Sequence, residues 1–432
     1  MSVLSISIIV LILLMVILFS SIWVGVGLTL VGAVSIGLFT PIDPFNVLNN
    51  VLWSTSNSSV MLALPLFVMM GEILFRSKIS ENLFKGLAPL MSKLPGKLIH
   101  TNILACSFFA AVCGSSAATT MTVGKITLTE LQNRGYSEEL ALGSLAGAGS
   151  LGFLIPPSTM MLLYGMLANV SIGKLFIAGL SPALLIVVSM MGYVIVRCLL
   201  NPSLTPKDEV FSFRDILLGL PLILPVIFLI VAVLGSIYAG WATPTEAAAV
   251  GVFGSILFAL ATNSLSKAQF LDVMKGTVKT TSMILLIVTG AAYLSVAMGY
   301  LNIPTSLTRL IVTMGVGKYQ LILILTIMYL ILGCVIEGFA MIVMTLPLAL
   351  PLIINAGFDP LWFGSYLVIM IQVAQLTPPV GFNLFVISGL TGKDIMLIAK
   401  YSLPSFIILM LAVVLITIFP DIVLFLPNMM IQ

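Results

Sequence analysis

The chain has 432 residues, of which 60% are hydrophobic and only 8% are charged, and its mean hydropathy is +1.22. Its 18 basic and 15 acidic residues are too few to solvate the surface of a soluble protein of this size. The composition therefore excludes a soluble enzyme and predicts a protein of the lipid bilayer. The net charge is only +3 and no basic run is present, so nucleic acid is not an expected partner.

Apolar stretches of about 20 residues, the length that crosses a bilayer, predict ten membrane spans. They cover residues 2–20, 22–39, 57–75, 137–168, 175–198, 216–237, 243–262, 277–298, 359–390 and 394–418. The first stretch has neither a positive n-region nor a small-residue cleavage site. We therefore expect a retained span there rather than a signal peptide.

Two further apolar segments, 98–133 and 319–356, are too long for one span. The first is broken near its middle by Gly114-Ser115-Ser116, and the second is broken between Gly333 and Gly338. Each segment predicts a re-entrant hairpin that enters and leaves on one face of the membrane.

The spans 137–168 and 359–390 are also too long for one straight helix, and each contains two adjacent prolines. Adjacent prolines remove two backbone donors and push the preceding residue out of the helix. Each span therefore predicts two half-helices joined by an unwound linker. At membrane depth such a linker is tolerated only where protein or a water-filled cavity satisfies its carbonyls.

The chain contains a weak internal repeat. A shift of 222 residues superposes Gly135 on Gly357, Pro156 on Pro378, Pro157 on Pro379, and Pro182 on Pro404. This predicts a first repeat at 1–199, a cytoplasmic linker at 200–215 and a second repeat at 216–432. Because each half would cross the membrane five times, an odd number, we expect the two repeats to be inverted.

The basic residues support one orientation. With the segment 76–97 in the cytoplasm, 15 of the 18 basic residues lie on that side, including Lys207 in the linker. Only Lys174, Arg309 and Lys318 remain outside, as the positive-inside rule requires. This orientation places both termini outside, opens the first hairpin to the cytoplasm and opens the second to the outside.

Inverted repeats with paired hairpins and broken helices are typical of secondary transporters, which bind ions and substrate near the midplane. At the first hairpin tip, hydroxyls and exposed carbonyls would supply neutral oxygen ligands for a cation such as sodium, and the following helix N-terminus would favour an anion. The alternative is a packing patch of small residues. The proline linkers likewise indicate either carbonyl ligands or packing kinks.

Three acidic residues leave alternatives open. Glu337 at the second tip is a functional candidate because ionised groups are costly in the membrane, but it would only solvate the turn if the tip is wet. Glu246 and Glu72 lie near span ends, where they either cap helices or contact a partner subunit. No Ser-His-Asp set, Walker loop or metal cluster can be assembled, so we expect no enzyme activity, and an ion gradient rather than ATP as the energy source.

Five motifs resemble one known family. They are Leu64–Leu74, Cys113–Thr120, Leu145–Ser158, Thr243–Ala249 and Thr377–Asn383. In this order they closely resemble the large membrane subunit of tripartite ATP-independent periplasmic (TRAP) transporters, the DctM-like family, over nearly the whole chain. The resemblance implies an all-α polytopic fold of the ion-transporter superfamily type, with an elevator motion of the hairpins against a scaffold.

The resemblance also implies a function. It predicts a sodium-coupled importer of small organic acids (C4-dicarboxylate, sugar acid or keto acid) in the bacterial inner membrane. Its expected partners are a small four-helix membrane subunit and a periplasmic substrate-binding protein. Sodium is the only metal ion expected, and no other cofactor is implied.

The family's binding residues carry over to two groups, with substrate between them. The first tip and linker supply Gly114, Ser115, Ser116, Ala117, Gly152, Leu154, Pro156 and Pro157. The second tip and linker supply Glu337, Gly338, Gln375, Thr377, Pro378, Pro379 and Asn383. Two features depart from the family pattern: Thr119-Thr120-Met121-Thr122 stands where many relatives have alanines, and no small subunit is fused. We expect Ser115→Ala to weaken sodium dependence with little loss of folded protein.

Two other functions remain open. One is a stand-alone sodium- or proton-coupled anion transporter of the same architecture, which would need no binding protein. The other is a membrane enzyme acting on lipid, which would need a nucleophile and a base at one depth.

Overall fold

A computed structural model describes residues 3–20, 22–206, 212–334, 336–379 and 381–430, so Lys207 and part of the predicted linker lie outside the described residues. Each regular element in these ranges is helical, which confirms the all-α fold. The first ten α-helices are α1 (Val3–Phe19), α2 (Val24–Phe39), α3 (Pro44–Ser56), α4 (Ala63–Phe75), α5 (Ile79–Met91), α6 (Leu98–Cys113), α7 (Ser116–Asn133), α8 (Glu138–Ser150), α9 (Thr159–Ala168) and α10 (Ile172–Leu200). The others are α11 (Phe213–Tyr238), α12 (Pro244–Ala261), α13 (Lys267–Tyr300), α14 (Ile303–Thr313), α15 (Lys318–Gly333), α16 (Gly338–Asn355), α17 (Pro360–Gln375), α18 (Phe382–Thr391), α19 (Ile395–Ile418) and α20 (Asp421–Asn428).

Six of these helices are long and apolar enough to cross a membrane by length and composition: α10, α11, α12, α13, α16 and α19. Shorter apolar helices lie in the other predicted spans, including α2, α4 and α17. These helices confirm a membrane protein with several apolar helices. The number of crossings and the orientation of the two halves stay predictions.

Both predicted hairpin breaks are confirmed. Helix α6 ends at Cys113 because Gly114 adopts a left-handed conformation (φ 59°), and α7 begins where the Ser115 side chain accepts a hydrogen bond from the Ala118 backbone N–H. In the second hairpin α15 ends at Gly333, and the Glu337 carboxylate caps the first turn of α16. Side-chain oxygens thus satisfy backbone donors that a helix start leaves unpaired.

Both predicted broken helices are confirmed as well. After α8 a short 3-10 turn, Leu151–Phe153, leads into the first proline pair, and α9 begins at Thr159. Helix α17 ends at Gln375 and α18 begins at Phe382. In both linkers the peptide bond between the two prolines is cis.

The helix bounds recur at the interval that the sequence repeat predicts. A shift of 222 residues carries the bounds of α7 onto those of α16, and carries α9 to within one residue of α18. The two halves therefore share an order of elements. Their inverted orientation and the boundaries at 199 and 215 stay predictions.

Most of the helices form two packed groups. The scaffold group consists of α1–α4 and α11–α13, in which α2 packs on α13, and α4 packs on α12 and α13. The hairpin group consists of α6–α10 and α15–α19, in which α8 packs on α19 and α7 packs on α18. The two halves of the chain thus meet inside the hairpin group.

Helix α17 forms the centre of the hairpin group. Phe358, Trp362 and Tyr366 stack along one side. The ring centroids of Phe358 and Trp362 are 4.4 Å apart, and those of Trp362 and Tyr366 are 5.4 Å apart. The Trp362 indole N–H donates to the Ile416 carbonyl of α19 at 2.7 Å, which satisfies the polar end of a fully buried ring. This packing holds α17, and with it the second proline linker, against the core.

Candidate functional site

The first hairpin tip packs directly on the first proline linker. The Thr159 hydroxyl donates to the Gly114 carbonyl at 2.9 Å. The Pro157 carbonyl oxygen occupies the place that a side chain at Gly114 would need, and a Cβ added at Gly152 would lie 2.8 Å from the Ser115 carbonyl oxygen. Tip and linker, which are predicted from separate segments, form one structure that needs glycine at both contacts.

The linker itself is enclosed by protein. Pro156 and Pro157 are buried, and Leu154 is 0% exposed. The Leu154 carbonyl faces α10, where a Cβ added at Gly179 would lie 2.7 Å from its oxygen. The unwound backbone is therefore surrounded by neighbouring helices, the setting in which broken helices persist in membranes.

Ser115 and Ala117 occupy the start of α7. The Ser115 hydroxyl oxygen accepts from the Ala118 N–H at 3.4 Å, and its carbonyl accepts from the Thr119 hydroxyl at 2.8 Å. Ala117 is half-buried. The Ser115 side chain is thus engaged as a helix cap, so its replacement affects helix stability as well as any ligand.

Ser116 and Asn383 form a hydrogen bond between the two halves of the chain. The Ser116 hydroxyl donates to Asn383 Oδ1 at 2.8 Å, and Asn383 Nδ2 donates to the Ala146 carbonyl of α8 at 3.3 Å. Both side chains are 0% exposed. The sequence assigns these two residues to different sites, and the structure places them in contact.

Thr120 is a further candidate that the predicted set does not contain. Its hydroxyl faces α8 at Gly149, where it occupies the place of a Cβ. The Thr120 hydroxyl is buried and has no hydrogen-bond partner among the described residues. Ser116 and Thr120 are four residues apart and therefore lie on one face of α7. The departure from alanine at 119–122 is the sequence signal that singles out this residue.

The second tip is more open. The Glu337 carboxylate is exposed and accepts from the Phe339 N–H of its own helix at 3.1 Å, so it caps the turn at the start of α16. Gly338 packs against α17, because a Cβ added there would lie 2.5 Å from Ile371 Cγ2 and 3.1 Å from Met160 Cε. Met160 belongs to α9, so this tip also touches the first half of the chain.

The second linker differs from the first in its exposure. Pro378 is half-buried and Pro379 is exposed. The Thr377 hydroxyl donates to the Val373 carbonyl at 2.8 Å. Gln375 is 3% exposed, and its amide oxygen has no partner in the described ranges. The two proline linkers match in sequence but differ in burial, because the prolines of the first are buried and those of the second are partly exposed.

A cavity of about 1270 Å³ lies between parts of the scaffold group and the hairpin group. Its walls include Ser58, Asn169, Lys174, Thr243 and Pro347. In the predicted orientation this is the outer side of the membrane. The residues of the two predicted binding groups are not among those that line it.

A family model for the DctM component of tripartite ATP-independent periplasmic transporters matches residues 11–422. The chain belongs to this family. It is 33% identical over 408 residues to the C4-dicarboxylate TRAP transporter large permease protein DctM of Pseudomonas aeruginosa, covering 93% of this chain and 94% of that protein. It is 30% identical over 375 residues to the sialic acid TRAP transporter large permease protein SiaM of Vibrio cholerae, covering 85% and 86%.

The fold also has a relative among solved structures. The YdaH transporter of Alcanivorax borkumensis, described as having an unusual topology, superposes with a TM-score of 0.60 at 15% identity, covering 87% of this chain and 88% of that one. At this identity the likeness shows the fold alone. It supports the fold described above.

Membership of the DctM family confirms the resemblance seen in the sequence. The chain is a TRAP large permease subunit, a component of transporters that depend on a periplasmic binding protein, and a multi-pass protein of the bacterial inner membrane. Its relatives are named as transporter permeases, which agrees with the expectation of no enzyme activity.

Two acidic residues of this DctM-family chain have local partners. Glu246 and Thr243 form a capping box at the start of α12, with the Thr243 N–H donating to the Glu246 carboxylate at 2.8 Å. Glu72 of α4 pairs with Arg76 one turn later at 3.2 Å. The structure therefore supports the helix-cap alternative for Glu246.

Proposed function

We propose that this chain is the translocation subunit of a sodium-coupled, binding-protein-dependent importer of small organic acids. The observation that carries the proposal is the pair of buried hydroxyls, Ser116 and Thr120, on one face of α7 beside an unwound linker. Thr120 has no protein partner among the described residues. An unpartnered buried hydroxyl costs about 1–3 kcal/mol, so a ligand that uses it is favoured.

The chemistry of this group suits sodium. Hydroxyl and carbonyl oxygens are neutral, hard donors, and at membrane depth they can replace the water around a monovalent cation without adding charge. The positive end of the α7 dipole opposes a cation and attracts an anion. We place sodium among the Ser116 and Thr120 hydroxyls, the first linker and α8, and the anionic substrate at the N–H groups of the helix start, where its negative charge offsets the dipole that the sodium opposes. Attraction between the two charges would couple their binding.

The second hairpin tip and the second proline linker would supply a second binding site. The sequence resemblance suggests a second sodium site from Glu337 and Gly338 with Gln375, Thr377, Pro378 and Pro379, and the buried amide oxygen of Gln375 without a partner supports a ligand there. Substrate would lie between the two tips.

The relatives support a substrate class and a set of partners for this chain. The two large permease proteins compared above are named for C4-dicarboxylate and for sialic acid, and both are carboxylic acids. We propose a small organic acid for this chain, with a separate four-helix membrane subunit and a periplasmic binding protein. The alternative is a stand-alone sodium- or proton-coupled anion transporter.

Uptake into proteoliposomes tests the proposal. The vesicles contain this chain with its small-subunit partner, and sodium and a candidate binding protein are added separately and together. We expect uptake of a labelled organic acid only when all components are present. Uptake without the binding protein would favour the stand-alone transporter. Uptake at the same rate with and without a sodium gradient would refute sodium coupling.

Thr120→Val tests the sodium site itself. Valine keeps the shape of threonine but has no hydroxyl, so the sodium concentration for half-maximal uptake should rise about tenfold, the effect of about 1.4 kcal/mol. Thr129→Val is the control, because Thr129 is exposed on the same helix and donates to the Lys125 carbonyl. Equal sodium dependence in both variants would mean that this face of α7 only packs against neighbouring helices and binds no sodium.

A further inference from the structure

The amide of Asn383 has a fixed orientation. The Ala146 carbonyl can only accept a hydrogen bond, so the atom of Asn383 that faces it at 3.3 Å must be the Nδ2 donor. The atom that faces Ser116 at 2.8 Å is therefore Oδ1, which can only accept. It follows that Ser116 must donate its hydroxyl proton to Asn383.

This bond decides where the Ser116 oxygen presents its lone pairs. A hydroxyl has one proton and two lone pairs, and the proton of Ser116 is directed at Asn383. The lone pairs therefore point away from Asn383, and the Ser116 oxygen accepts no hydrogen bond in the described part of the chain. Because Ser116 is 0% exposed, bulk water does not compete for them.

We propose that Asn383 is a positioning residue that orients the Ser116 hydroxyl so that its oxygen binds a monovalent cation at the first hairpin tip. Asn383 belongs to α18, which follows the second proline linker, whereas Ser116 starts the second arm of the first hairpin. The bond thus makes cation binding in one half of the chain depend on the position of a helix in the other half. This inference rests on the proposed sodium coupling and adds to it the residue that links the two halves.

Asn102 provides a matched control. It is also 0% exposed, its Oδ1 accepts from the Thr127 hydroxyl at 2.9 Å, and its Nδ2 donates to the Ser144 hydroxyl at 2.9 Å. Asn102 thus makes the same kind of buried bonds as Asn383, but it joins α6, α7 and α8 within one half. Its loss should affect stability without affecting a cation at the tip.

The experiment is a double-mutant cycle in the reconstituted transporter. Asn383→Leu keeps the side-chain size but cannot accept a hydrogen bond, and Ser116→Ala removes the oxygen itself. Sodium concentration for half-maximal uptake, substrate KM, maximal rate and thermal unfolding are measured for both variants, for the double variant and for Asn102→Leu. Asn383→Ala replaces the leucine variant if the latter does not fold.

We expect each single variant at Asn383 or Ser116 to raise the half-maximal sodium concentration about tenfold, with a smaller change in maximal rate at saturating sodium. Since Asn383 acts through Ser116, the double variant should need no more sodium than Ser116→Ala alone. Asn102→Leu should unfold at a lower temperature with unchanged sodium dependence.

Three results would overturn the inference. Unchanged sodium dependence in the Asn383 variant would show that its bond only holds helices together, and the proposed function would stand. Additive effects in the double variant would show that Asn383 acts independently of Ser116. Wild-type uptake without sodium stimulation would refute both the inference and the sodium coupling on which it rests.

Discussion

Gly114 shows how a single residue controls the contact between the first tip and its linker. Its φ of 59° lies in the left-handed region, and the Pro157 carbonyl occupies the space of a side chain. Gly114→Ala should therefore lose about 1–2 kcal/mol from the backbone conformation and about 1–3 kcal/mol more from the collision. Thermal unfolding in detergent measures the total, and uptake should fall with it because the tip can no longer close on the linker.

Gly135→Ala separates the two contributions. Gly135 also has a left-handed φ, of 77°, but a Cβ added there meets nothing within 4 Å. This variant should lose only the backbone contribution and keep uptake. If Gly114→Ala unfolds at the same temperature as Gly135→Ala and transports normally, the tip and the linker do not need their close contact.

For single residues, the sequence predicts where a helix breaks better than it predicts which side chains bond to each other. Gly114 and the two proline pairs are predicted because glycine and proline restrict the backbone locally, and the structure breaks its helices there. The Ser116–Asn383 bond could not be predicted, because its partners are 267 residues apart and meet only through packing of α7 on α18. Ser115 is a related case: its expected role as a ligand stays a prediction, but its side chain also caps α7.

At the scale of one element, the capping box of α12 gives a prediction for Glu246. The carboxylate accepts from both the N–H and the hydroxyl of Thr243 at 2.8 Å. Glu246→Ala should destabilise the start of α12 by about 1 kcal/mol. Glu246→Gln should keep both stability and uptake, because the glutamine oxygen accepts the same bonds.

The glutamine variant distinguishes a cap from a charged contact. Thermal unfolding and uptake are measured for both variants, with Glu81→Gln as a control for an exposed carboxylate that pairs with Lys85 within α5. Loss of uptake in Glu246→Gln with normal stability would mean that the negative charge contacts a partner, substrate or ion, and that the cap is secondary.

Elements whose signal is apolar length are predicted well, and those that depend on caps or polar turns are not. The predicted span 277–298 lies within α13, which begins ten residues earlier at Lys267, because a polar segment outside the apolar stretch continues the same helix. Helix α3 is absent from the predicted spans because it is amphipathic. Asp43 as its cap and Pro44 at its first position are start signals that a search for apolar spans ignores.

For the molecule as a whole, the boundary between the scaffold group and the hairpin group is the surface along which we propose that an elevator motion occurs. Gly173 of α10 and Ile237 of α11 meet across it, since a Cβ added at Gly173 would lie 3.1 Å from Ile237 Cγ2. Both residues line the cavity between the two groups. This close contact makes the two positions suitable for a pair of cysteines, since a disulfide needs Cβ atoms that lie about 4 Å apart.

We expect this crosslink to stop transport. In a background in which Cys106, Cys113, Cys198 and Cys334 are replaced, oxidation of Gly173→Cys with Ile237→Cys should abolish uptake, and a reductant should restore it, because the disulfide fixes the hairpin group at one depth. The control pair is Gly251→Cys with Val233→Cys, which has the same 3.1 Å contact but lies within the scaffold group. Its crosslink should leave uptake intact. Full uptake with the first pair crosslinked would mean that α10 and α11 keep their contact throughout the cycle, and that substrate crosses without movement of the hairpin group along this boundary.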